Sequence, residues 1–137
     1  MAHLIVSNGL QASAKETFNI SGGAQVQSMA WDTGTGAGEA FTASDTALNA
    51  HGAVTVIAKA FDSTFPSLAA QTVTCQGTLA TGDFNGNTIG RVSLHTTAFG
   101  SVTSSTTGLY GGIDQQSIAK TSDFSLVTQV TIAFTSA

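Results

Sequence analysis

Near the C terminus, Leu126, Thr128, Val130, Ile132 and Phe134 alternate with Val127, Gln129, Thr131, Ala133 and Thr135. A period of two predicts a β-strand with one face on a core, because successive side chains of an extended chain point to opposite sides. The stretch from Gln71 to Leu79 follows the same rule, with Val73, Cys75 and Leu79 facing away from Thr72, Thr74, Gln76 and Thr78. Val54 to Phe61 is β-branched and apolar on both parities, which suits a strand covered on both sides. Shorter strands are expected at His3 to Val6 and Val26 to Trp31, and another begins near Thr88 and closes at Leu94.

Only Ser44 to Ala50 has a helical pattern, about two turns long, with Ser44 or Asp45 as the cap and Gly52 as the stop. The connections ISGGAQ, DTGTGAGEAFT and FGSVTSSTTGLYGG, and TFPSL with the single Pro66, are rich in turn formers. Short strands at intervals near ten residues predict an all-β, single-domain antiparallel β-sandwich or small barrel over residues 1–137, with at most one short helix. There is no internal repeat, and no linker divides the chain.

A chain of 137 residues can bury roughly two-thirds of the surface its unfolded form exposes. Charged residues are only 9% of it, against about 25% in ordinary soluble domains. At 42% hydrophobic, with eight Phe, it nonetheless has the content of a folded chain. The basic residues Lys15, Lys59, Arg91 and Lys120 are scattered, and the net charge is -4. Nucleic acid and anionic membrane surfaces are therefore not expected partners, since both are bound through clustered Lys and Arg. Cys75 is the single cysteine and has no partner for an intramolecular disulfide. The opening MAHLIVSNGL lacks the basic flank and long apolar stretch of a signal peptide, so synthesis in a cytoplasm is expected. No apolar run approaches the ~18 residues of a membrane-spanning helix.

The run Asp83-Phe84-Asn85-Gly86-Asn87 places acid or amide oxygens at alternate positions, like the first half of a calcium loop. Thr88 stands where an EF-hand needs glycine, and Leu94 stands where it needs the bidentate glutamate. Asn85-Gly86 is instead a favoured pair for a two-residue type I′ hairpin turn. A bulge at Gly90 would bring Ile89 and Val92 to one face. Gly34 to Gly38 has neither dinucleotide-fingerprint nor P-loop spacing and reads as a turn. His3, His51 and His95 share no metal-ligand spacing. Ser93 and His95 fall on one face of a strand, without a nucleophile elbow or an Asp placed to orient the imidazole. Cys75 lies on the apolar parity of its strand and reads as buried and inert. Trp31, Tyr110 and the Phe residues fit a core or subunit interface at least as well as a sugar-stacking platform, and the amides of GIDQQS and FNGNT carry only a weak sugar-binding signal. These readings predict no catalytic residues, metal or cofactor. They predict structural turn positions at Asn85, Gly86 and Gly90, and they leave the interface residues unassigned.

From Gly34 onward the order of segments resembles small β-rich structural proteins of tailed bacteriophages. The resemblance lies in GTGAGEAFTASDTALN, with Asp45-Thr46-Ala47-Leu48 after the Gly-Thr-Gly loop, and in Lys120 ahead of the alternating final strand. It departs at Gly90-Arg91, where related proteins often carry an acidic residue in the strand after the Asn-Gly turn. The resemblance implies a non-enzymatic virion component, either a capsid decoration (cement) protein or part of a tail appendage such as a fibre or receptor-binding module. By the same analogy its partners would be further copies of itself, as a homotrimer, and the major capsid protein.

Overall fold

The computed structural model describes residues 3–17, 24–35, 39–114 and 116–134. Residues 36–38 of the glycine loop, 20–23 of ISGGAQ, 115 in GIDQQS and 135 of the last alternating run lie outside the described residues, as do the side chains of His3 and Lys15. The elements run β1 (His3–Ile5), α1 (Ser7–Thr17), β2 (Ser28–Asp32), β3 (Val56–Ala60), β4 (Ser67–Ala69), β5 (Thr72–Leu79), β6 (Thr88–Ile89) and β7 (Arg91–His95). A 3-10 turn (Phe99–Ser101) follows, then β8 (Leu109–Ile113), β9 (Ile118–Ala119) and β10 (Leu126–Ala133). Among the described residues the fold is mostly β, with antiparallel sheets and one helix, and no closed barrel forms.

Strands pair in the order β1-β8-β7-β2-β3 in a five-stranded sheet, β10-β5-β4 in a three-stranded sheet, and β6-β9 in a two-stranded ribbon. Alternation along β2 sends its side chains to two different cores. Met29 and Trp31 meet Cys75, Leu79 and Val130 of the three-stranded sheet, joined by Ile89, Val92, Leu94 and Tyr110. On the opposite face, Ala30 packs with Val6, Phe41, Leu48 and Leu109. The five-stranded sheet is thus covered on both sides, and every residue of β2 and β7 is buried.

Doubly covered strands were expected at Val54 to Phe61, which instead contains an edge strand, β3. Ile57 touches the first core while Val56 and Ala58 touch the second, so both its faces are apolar. Having a neighbour on one side only, its residues are half-buried or exposed. The helix also falls elsewhere than expected. Ser44 to Ala50 forms consecutive turns, because its backbone groups are drawn away from helical partners: the Asn49 N–H goes to the Ser104 carbonyl at 2.9 Å, and the Leu48 carbonyl accepts from Arg91 at 2.6 Å. The actual helix, α1, carries Gly9 in its interior and an exposed Leu10, which hid it from pattern reading. Gly9 is needed for contact, since a Cβ there would lie 2.0 Å from the Tyr110 carbonyl oxygen of β8.

The segment after β5 is not a hairpin. β5 pairs with β10 and β4 while β6 pairs with β9, so Ala80 to Asn87 crosses between sheets. Within it the Asn87 N–H bonds the Phe84 carbonyl at 3.3 Å, and Gly86 has φ 81 while Asn85 keeps negative φ. This is the φ pattern of a type II turn, not a type I′ turn. Gly90 separates β6 from β7, and Ile89 and Val92 on either side of it belong to the same core. Its N–H bonds the Asp32 carbonyl at 2.8 Å, and a Cβ there would sit 1.7 Å from the Gly34 carbonyl oxygen. Gly90→Ala should therefore lower the unfolding free energy by about 3 kcal/mol in urea titration, because backbone must move aside. Gly82→Ala, whose Cβ would meet nothing within 4 Å, should change it by less than about 0.5 kcal/mol.

Candidate functional site

β10 forms one edge of the three-stranded sheet. It pairs with β5 from Leu126↔Leu79 to Ala133↔Thr72, and one step further the Phe134 N–H bonds the Gln71 carbonyl at 2.8 Å. Antiparallel ladders alternate, so even-numbered residues of β10 turn their backbone groups to β5. Val127, Gln129, Thr131 and Ala133 turn theirs to the other side, where no described strand pairs with them. Sheet edges normally carry protection. β1 and β4 are only three residues long, and β3 carries Lys59. β10 has eight residues with no charge and no proline. Flanking side chains add apolar surface, with Val127 55% and Phe134 53% exposed.

The outward face of this sheet is also almost free of charge. Val127, Gln129, Thr131 and Ala133 lie beside Thr78, Gln76, Thr74 and Thr72 in register. Gln129 Nε2 donates to Gln76 Oε1 at 2.7 Å, and Gln76 Nε2 and Thr78 Oγ1 donate to Asp62 Oδ2 at 2.9 and 2.6 Å. On the inner face, Trp31 Nε1 donates to Thr128 Oγ1 at 3.0 Å and fixes β10 against the other sheet. Between the two sheets an apolar cleft of about 240 Å3 opens beside β10, lined by Leu4, Tyr110, Ile113, Val130 and Ile132 among others. An open backbone ladder, a polar uncharged face and an apolar cleft suit protein–protein contact through added strands and packed surfaces.

The groups that sequence reading weighed for chemistry are turned inward. Ser93 Oγ lies 2.9 Å from His95 Nε2, but both residues have no exposed surface and no hydrogen-bond partner meets His95 Nδ1. Among the described residues no carboxylate orients the ring as a triad would require. Burial pushes the imidazole down to about 4. His51 Nε2 instead contacts the buried Asp45 at 2.9 Å, and Asp45 also holds the Thr42 N–H and hydroxyl, tightening a turn. Trp31 and Tyr110 are core residues, 0% and 5% exposed, so neither presents a ring face to a sugar. Cys75 is buried, and desolvation raises its thiol to about 11, far from a reactive thiolate.

Two of the four scattered basic residues, Arg91 and Lys120, are buried. Arg91 donates from Nε to Asp32 Oδ1 at 2.8 Å, from Nη1 to the Glu39 carbonyl at 2.8 Å and from Nη2 to the Leu48 carbonyl at 2.6 Å. Burial raises the Asp32 carboxyl above its ordinary value, with the Arg91 guanidinium pulling the other way. Lys120 Nζ donates to Asn85 Oδ1 at 3.1 Å and to the Thr121 carbonyl at 2.6 Å. No spacing rule ties Arg91 to Asp32 or Lys120 to Asn85, since each pair meets only through strand register or loop closure.

Lys120 and Lys59 also account for the alternating oxygens at 83–87. Asp83 Oδ2 accepts from Lys59 Nζ at 2.9 Å and from the Ala80 N–H at 2.8 Å, while Asn85 Oδ1 accepts from Lys120. The hydrogen bond from Lys59 keeps the Asp83 carboxyl below its ordinary value. Asn87 Nδ2 turns to the Phe84 carbonyl at 3.3 Å. A calcium ion would have to displace two ammonium groups, so millimolar calcium or a chelator should shift the melting temperature by less than about 1 °C.

His95 supplies a pH test. Its folded pKa of about 4 lies below the ordinary 6.5, so the unfolded chain takes up the proton first as pH falls. The stability that the neutral ring contributes is complete above pH 6.5 and is lost toward pH 4. Between pH 7 and pH 5 the wild type should lose about 2 kcal/mol more than His95→Gln, measured by urea titration at each pH. No protein-family model, curated protein or solved structure matches this chain.

Proposed function

We propose that this chain is a non-enzymatic structural protein of a tailed-bacteriophage virion, and specifically a capsid decoration protein that works through its surfaces. The observation that carries this reading is the uncharged eight-residue edge of β10 beside an uncharged sheet face. A globular domain normally blunts such an edge, because unpaired N–H and C=O groups template association. A protein destined for a lattice keeps one open. The resemblance around Asp45-Thr46-Ala47-Leu48 and Lys120 supplies the class of lattice, a phage shell.

Function by contact also accounts for the inward placement of the reactive groups. Ser93, His95 and Cys75 are spent on packing, and the exposed side chains of β10 and its neighbour are Thr, Gln, Val and Ala. Contacts of this kind add free energy to an assembled state without changing any covalent bond, and so stabilise it by mass action. A glycan-binding tail module fits less well, since Trp31 and Tyr110, the rings with polar edges suited to stacking on a sugar, are both buried. Particles of the encoding virus, separated into emptied heads and tails, should retain the protein on the heads. Retention on tails alone would overturn the decoration role.

A further inference from the structure

We propose that β10 is a self-pairing edge: two copies of this chain join antiparallel through Leu126–Phe134 about a two-fold axis at Val130, fusing their three-stranded sheets into one. The inference deepens the reading of the β10 edge that carries the proposed function, and it names the occupant of that edge as a second copy, a two-fold pair in place of the homotrimer that the phage resemblance implies.

Backbone alternation selects the register. Among the described residues nothing pairs with the N–H and C=O of Val127, Gln129, Thr131 and Ala133, because the even-numbered residues face β5. In an antiparallel pair, residues that exchange both hydrogen bonds stand directly opposite each other. An odd residue must therefore oppose an odd residue. Centring the pair on Val130 sets Val127 opposite Ala133 of the second copy and Gln129 opposite Thr131. Every outward group of both strands is then used. Centring on Gln129 would leave Ala133 unpaired, and a shift by one residue would oppose odd to even and form no ladder.

Side chains agree with the same register. Leu126 comes opposite Phe134 of the second copy, so the half-exposed Phe134 gains an apolar neighbour. Val127, also half-exposed, comes opposite Ala133 on the outer face. No residue from Leu126 to Phe134 is charged, so a two-fold operation opposes no like charges. The other described edges lack these properties, being two or three residues long or, at β3, carrying Lys59.

Sedimentation equilibrium on the intact chain, run across concentration at low and high salt, tests the pairing. The expected result is a concentration-dependent mass of twice 13.8 kDa, insensitive to salt because no charges meet. Gln129→Pro deletes one outward N–H and leaves the β5 ladder intact, so it should abolish the dimer with the far-ultraviolet dichroism unchanged. A charge pair covers the case in which that variant misfolds. Gln129→Lys with Thr131→Lys sets like charges opposite each other twice and should raise the dissociation constant at least about tenfold. Gln129→Lys with Thr131→Glu sets opposite charges there and should restore association. A mass of 13.8 kDa at all concentrations, a trimer mass, or a dimer indifferent to the charge pair would overturn the pairing. Location on heads or tails is read separately, so a dimer absent from particles refutes the virion role and leaves the pairing standing.

Discussion

The Arg91 guanidinium holds the molecule's layers together. From the middle of the five-stranded sheet it reaches Asp32 on the neighbouring strand and the carbonyls of Glu39 and Leu48 on the irregular segment that covers the sheet. Its guanidinium carbon also lies 4.8 Å from the centre of the Phe41 ring. A segment with little regular structure has backbone carbonyls that need partners, and a buried cation with several donors satisfies two of them at once. Phe41 and Leu48 are thereby held over Ala30 and Leu109, and the second core exists because that segment is tied down. The geometry carries a cost, since Asp32 Oδ2 finds no partner among the described residues and burial desolvates the carboxyl.

Covering the five-stranded sheet on both faces has a consequence for the smaller one. The three-stranded sheet lends one face to the shared core and turns the other outward. Its Thr and Gln ladder keeps that face hydrated without charge, and Asp62 anchors it from the margin. The uncharged outward surface therefore lies on the small sheet and along β10, while the larger sheet is covered on both faces.

Much of the β content was legible because burial on one face imprints a period of two. The alternation from Leu126 to Ile132 and that of Val73, Cys75 and Leu79 correspond to the inward faces of β10 and β5. β8, by contrast, carries no such imprint, since Leu109-Tyr110-Gly111-Gly112-Ile113 has two glycines and no alternation. It lies between β1 and β7 in the sheet, where Phe41, Leu4 and the β7 backbone press against its glycines. The buried polar row of Asp32, Arg91, Ser93 and His95 was equally hidden. Polar residues on a strand normally announce solvent, and here they face a covering layer instead.

The stretch 81–87 shows where the boundary falls. Asn85-Gly86 marked a turn, and positive φ at Gly86 follows from glycine lacking a Cβ. Whether that turn joined neighbouring strands or carried the chain between sheets depended on the distant partners of β5 and β6, which no local pattern encodes. By itself the sequence determined an antiparallel, charge-poor β protein, because side-chain periodicity and turn chemistry are local properties. Only the tertiary structure decided which strand was left as an open edge, which cations were buried and which residues met across the sheets. Those outcomes depend on long-range pairing, where strand order and register bring together groups far apart along the chain.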